Sequence, residues 1–263
     1  MNKILLIFVL CFFDGAVQAA VQGEEVSYER DGTTYRGYLA YDDAIKGKRP
    51  GVIVVHEWWG QNEYARKRAR MLAELGYTAL AVDMYGEGWT ADNPTDAAEL
   101  AFGVSSNLQL EKERFEAGMN FLRNNKNVDP DKIAAFGYCF GGGVVLNMAR
   151  IGEKLRGVAS FHGGLGTDYP AKPLRVKARI ISFSGDADPM IGPDKVAAFK
   201  KEMDGAGVNY RVYIYPGAKH AFTNPEADQL GKRFNLPIAY DVDADRDSWE
   251  RASTFLREIF ATK

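Results

Sequence analysis

The chain has 263 residues, 46% of them hydrophobic and 26% charged, a composition that supplies a full globular core and excludes a disordered or fibrous polymer. Its formal net charge of −2 excludes a general attraction to nucleic acid or to acidic membrane surfaces. Two cysteines and three histidines (His56, His162, His220) without short ligand spacing make a poor zinc cage, so no metal and no organic cofactor is expected.

Lys3 followed by the apolar run Ile4 to Phe13 and then "DGAVQAA" has the pattern of a secretory signal peptide over residues 1–20. Cleavage is expected after Ala19, in Val17-Gln18-Ala19, or after Ala20, leaving residues 21–263 as one exported domain, periplasmic or secreted and without stable membrane insertion. Removal of this segment takes Cys11 away. The mature chain would then carry Cys139 alone, an unpaired thiol in an oxidising compartment and without an internal disulfide partner.

From Glu24 the stretch "EVSYERDGTTYRGYLAYDD" alternates around Asp31-Gly32 and predicts a β-hairpin. "RPGVIVVHEWWG" and "TALAVDMYGEG" are buried strands on either side of an amphipathic helix, "NEYARKRARMLAELGY", that stops at Gly76. Residues 94–125 are expected to be helical, with Asp129-Pro130 beyond their end. "KIAAFGY" is a strand and "FGGGVVLNMARIG" a helix. "GVASFHGG", "RIISFSGDADP" and "RVYIYPGAKHAF" are further strands, with helices near 192–205 and 245–261. Buried strands alternating with helices predict an α/β fold: a mostly parallel sheet, helices on both faces and the N-terminal antiparallel hairpin at one edge. Ligands in such sheets bind beyond the carboxyl ends of the strands, where Glu57, Cys139, His162, Asp188 and His220 all fall.

Gly137-x-Cys139-x-Gly141, between a strand and a helix, is the nucleophile-elbow pattern with sulfur in place of a hydroxyl. Glycines two residues to either side leave room for a tight turn in strained backbone. The helix N-terminus behind Cys139 favours thiolate, and the N–H of Phe140 is the expected first oxyanion donor. "SGDADPM" then offers Asp186 and Asp188, and "YPGAKHAF" offers His220, in the chain order nucleophile, acid, base that is expected of the α/β-hydrolase fold. A thiol with a free pKa near 8.5 needs a base, and the imidazole needs a carboxylate to set its tautomer. Asp188 is favoured as that carboxylate because it ends its loop, while Asp186 is expected to make a turn hydrogen bond.

These motifs, with "VIVVHEWWG" and "AELGYTALAVDMYG", resemble the dienelactone hydrolase family over residues 51–261. The resemblance implies a cysteine hydrolase with the triad Cys139, Asp188 and His220, a glutamate beside the thiol at Glu57, and a second oxyanion N–H at Trp58. It also implies a resting state in which the nucleophile is held near Glu57 until substrate arrives. The sequence departs from the family at two positions. Glu87 and Asn224 stand where the dienelactone-cleaving members carry arginines, so no guanidinium fork is offered to a substrate carboxylate. Tyr85, His162 and Phe222 are expected to line the substrate pocket. The long segment from Thr223 to Asp245 is a candidate lid or pocket wall.

The expected function is hydrolysis of a small ester, lactone or thioester through an acyl-thioester. Thioesterase or acyltransferase chemistry on the same triad, and a redox-responsive thiol protein without catalysis, are the alternatives.

Overall fold

The computed structural model describes residues 21–261; the expected signal segment, with Cys11, lies outside the described residues. Among the described residues eight strands occur in chain order: β1 (Val21–Arg30), β2 (Thr33–Asp42), β3 (Arg49–Val55), β4 (Thr78–Val82), β5 (Val128–Tyr138), β6 (Gly157–Phe161), β7 (Arg179–Gly185) and β8 (Tyr210–Tyr215). They form one sheet in the order β1-β2-β4-β3-β5-β6-β7-β8. β1 and β2 pair antiparallel, β2 meets β4 antiparallel, and the rest is parallel. Asp31 (φ +51°) and Gly32 (φ +79°) form the two-residue turn of the hairpin, both in the left-handed region that twisted hairpins demand.

The helices are α1 (Glu63–Glu74), α2 (Pro94–Ser105), α3 (Leu108–Arg123), α4 (Phe140–Arg150), α5 (Pro193–Gly205), α6 (Ala227–Phe234) and α7 (Val242–Ala261). Every residue of β4 and β6 is buried, as expected for strands covered on both faces. Alternation sorts β3 between two cores. Ile53 and Val55 pack with Phe115, Met119 and Val144 from α3 and α4, while Val52 and Val54 pack with Ala69 and Leu72 from α1. Phe255, Leu256 and Ile259 of α7 complete the second core.

Two expected elements are corrected. Residues 94–125 form two helices, because Asn107 leaves helical geometry and its side chain accepts from Leu110 N at 3.1 Å, capping α3. The connection from Thr223 to Asp245 contains α6, which ends on Asn235 in the left-handed conformation (φ +52°).

Candidate active site

The carboxyl ends of β3, β5, β6 and β7, with the segment after β8, bring Glu57, Cys139, His162, Asp188 and His220 to one end of the sheet. Cys139 joins β5 to α4 with φ +53° and ψ −115°, a conformation costing about 1–3 kcal/mol in a non-glycine residue. Fixed neighbours hold it there. Its N–H is shared between Phe161 O at 3.0 Å and His162 Nδ1 at 3.1 Å, and Gly141 N donates to His56 O at 3.1 Å. A Cβ on Gly137 would sit 2.0 Å from Gly141 O, and one on Gly141 would sit 2.3 Å from Val55 O, so both positions of the elbow exclude a side chain. Phe140 is the first residue of α4, where a backbone N–H has no intrahelical partner.

Asp188 is buried behind His220. Its Oδ2 accepts from His220 Nδ1 at 2.8 Å, and its Oδ1 accepts from Met190 N at 2.8 Å. The first contact commits the Nδ1 proton and turns Nε2 towards the thiol side. Nε2 is buried in the cavity it shares with Cys139. Burial alone lowers the His220 pKa; the interaction with Cys139 and the bond to Asp188 outweigh it and carry it up to about 10. Asp186 instead accepts from Gly217 N at 2.6 Å in the neighbouring turn, away from His220.

Glu57 lies in the same cavity as Cys139 and His220. Burial pushes its carboxyl up to about 7, against the hydrogen bond from Asn224 and the charge of His220. Asn224 Nδ2 donates to Glu57 Oε2 at 2.7 Å, while Oε1 is buried without a partner among the described residues. The residue at the expected arginine position therefore orients the glutamate. At the other such position, Glu87 is exposed and its Oε1 accepts from Thr34 N at 3.0 Å, tying it to β2.

The three expected pocket residues stand behind the cavity. Tyr85 is buried, donates to Trp58 O at 2.9 Å and packs on Phe140, so it braces the backbone at Trp58. His162 is fully buried beneath the elbow, and its Nε2 contacts Thr223 Oγ1 at 2.7 Å. Phe222 is fully buried against His162 and Tyr215. His56 is structural: its Nδ1–H donates to Glu57 O at 2.5 Å and its Nε2 accepts from Met84 N at 3.2 Å.

Two cavities meet at Cys139 and His220. One, of about 250 Å³, is apolar and walled by Trp58, Trp59, Leu230, Leu236, Pro237 and Ile238, so the segment after Thr223 does supply a wall. The other, of about 390 Å³, runs along α4. Sequence reasoning missed Met190, which lines both, and a buried network behind them. In that network Arg68 Nη2 donates to Thr223 O at 2.5 Å and to Asp245 Oδ1 at 2.6 Å, and Tyr64 OH meets Thr223 Oγ1 at 2.5 Å. The polar Arg68 inside an otherwise apolar helix face was the available signal.

A model of the dienelactone hydrolase family matches residues 35–260. Protein usf of Aquifex pyrophilus is 29% identical over 241 residues, covering 90% of this chain and 98% of its own. A solved dienelactone hydrolase-like promiscuous phosphotriesterase from metagenomic libraries superposes with a TM-score of 0.83 at 30% identity, covering 91% of this chain and 99% of that one. The solved structure titled m3DLH gives 0.84 at 32% identity, with the same coverage.

Proposed function

The chain belongs to the dienelactone hydrolase family and is an ester-bond hydrolase; from that premise we propose that it is an exported cysteine hydrolase working through Cys139, His220 and Asp188. His220 Nε2 takes the proton from Cys139 Sγ. The thiolate attacks the carbonyl carbon of a small ester, lactone or thioester, forming a C–S bond, and the N–H groups of Trp58 and Phe140 hold the oxyanion. Collapse breaks the bond to the leaving oxygen or sulfur, which receives the proton from His220. Water, deprotonated by His220, then attacks the acyl-thioester, and the C–S bond breaks to restore the thiol.

The observation that carries this reading is the 2.8 Å bond from His220 Nδ1 to Asp188 Oδ2. It leaves Nε2 as the one ring nitrogen able to take a proton, buried in the cavity that holds Cys139. Neither cavity at the thiol has a lysine or arginine in its lining, which favours neutral or cationic substrates over carboxylate-bearing lactones. Turnover of 4-nitrophenyl acetate, a neutral lactone and a short acyl thioester by the purified mature protein tests the reading. An aryl phosphotriester is a fitting fourth probe, since one structural relative is titled a promiscuous phosphotriesterase. Export rests on residues 1–20 and is tested by the mass of the protein recovered outside the cytoplasm. A mature chain beginning at Ala20 or Val21 supports it, and an intact Met1 overturns it.

A further inference from the structure

The cavity along α4 differs in chemistry from end to end. Close to Cys139 it passes Gly143, Val144 and Ile191, an apolar corridor. At its far end it meets Glu111, Asn147 and Asp168. Glu111 is only 1% exposed, and its two oxygens receive a single amide, Asn147 Nδ2, at 3.3 Å each. Asn147 cannot turn away. Its Oδ1 accepts from Thr167 Oγ1 at 3.0 Å and from Arg150 Nη1 at 3.3 Å, so its NH2 must face Glu111. Arg150 is not a counterion for Glu111, because its Nε and Nη2 are engaged by Glu202 at 2.8 and 2.9 Å. Burial pushes the Glu111 carboxyl up to about 7, with Asn147 and Arg150 opposing.

A buried carboxylate with one long amide contact and no ion pair is costly, and a ligand that brings a charged N–H donor removes that cost. We propose that this end of the cavity is a substrate subsite for an ammonium group, carried on an aliphatic chain that lies over Gly143 and Val144 with its reacting carbonyl at Cys139. Asn147 stands eight residues beyond Cys139 along α4, about 12 Å at 1.5 Å per residue, which calls for a chain of roughly six to eight atoms. Glu111 binds the ammonium, Asp168 adds negative charge at the mouth, and the apolar cavity under Trp58 and Ile238 takes the other side of the ester. The substrate class rests on the hydrolase reading above; the binding site does not.

The test compares 4-nitrophenyl 6-aminohexanoate with 4-nitrophenyl heptanoate, its methyl-ended isostere, and the 8-aminooctanoate with the nonanoate. Wild type is expected to favour an ammonium ester by about tenfold in kcat/KM, chiefly through KM, which corresponds to about 1.4 kcal/mol. Glu111→Gln is expected to bring each pair within twofold. Asp168→Asn, at an exposed position that folding tolerates, is expected to reduce the preference. Equal rates in wild type, or a preference that survives both substitutions, overturns the proposal. Binding is measured separately in Cys139→Ala, where hexylammonium should raise the Tm and 1-hexanol should not. Absent turnover with this binding intact supports the subsite and counts against the hydrolase reading alone. No shift with hexylammonium overturns the subsite whatever the turnover.

Discussion

The backbone N–H of Cys139 donates to Nδ1 of His162 at 3.1 Å, so the elbow is held from below by a neutral imidazole. An accepting Nδ1 puts the ring proton on Nε2, which donates to Thr223 Oγ1 at 2.7 Å. Burial first, then the charges of His220 and Arg68, keeps the His162 pKa well below the ordinary histidine range, consistent with that tautomer. Thr223 follows His220 by three residues, and Arg68 grips its carbonyl. One ring thus links the Cys139 turn to the loop that carries His220.

Breaking that link should misplace the two groups without removing either. His162→Ala is expected to lower kcat about tenfold with little change in KM, and to cost about 2–4 kcal/mol of stability through lost packing and the lost hydrogen bond to Thr223 Oγ1, which keeps Tyr64 OH as a partner. Thr223→Val severs the same link from the other side and should lower kcat in the same way with a smaller loss of stability. Steady-state kinetics alongside thermal melts separates the two effects. An unchanged kcat in both variants contradicts the positioning role.

Asp188 and Asp186 make opposite predictions although two residues apart. Asp188→Asn offers an amide where His220 Nδ1–H needs an acceptor and favours the wrong tautomer, so kcat should fall about 10²- to 10⁴-fold. Asp186→Asn weakens only the contact to Gly217 N and should leave kcat within twofold. Similar losses in the two variants would remove the assignment of the acid.

Much of this was legible in the chain. The hairpin announced itself through Asp31-Gly32, and the elbow through glycines whose missing Cβ atoms would strike backbone at 2.0 and 2.3 Å. Those are local constraints, and local patterns report them. The bracing of Thr223 by Arg68 spans 155 residues, and the contact of Asn147 with Glu111 spans 36, so neither leaves a periodic trace. The wall residues Leu230, Leu236 and Ile238 sit on and just after a helix of eight residues whose inner face is only Ala227, Leu230, Gly231 and Phe234, too short a run to stand out as a period. Tyr85, His162 and Phe222 lie at the carboxyl end of the sheet, but none of them lines the two cavities at Cys139, and Tyr85 instead lines a separate cavity with Trp89 and Leu100. Strand-end position fixes depth along the sheet and not the direction of the side chain.

Glu57 has a folded-state pKa of about 7 against an ordinary 4.5. The folded chain keeps this proton where the unfolded chain has released it. Its contribution to stability is therefore fully present below about pH 4.5, declines as pH rises, and is lost above about pH 7. Glu57→Gln keeps an acceptor for Asn224 and removes the buried charge. The variant's advantage in unfolding free energy should grow from pH 4.5 to 7.5 and then level off, reaching about 3 kcal/mol at most. Denaturant titrations at those two pH values measure it; a difference that does not change with pH contradicts the buried, proton-holding state.

The claim on which the rest depends is that sulfur at position 139 is the nucleophile. The most direct measurement is kcat/KM for 4-nitrophenyl acetate in wild type and in Cys139→Ala, with circular dichroism showing that both are folded. The account predicts a loss of about 10³-fold or more in the variant. A folded Cys139→Ala that keeps a tenth or more of the wild-type value contradicts it.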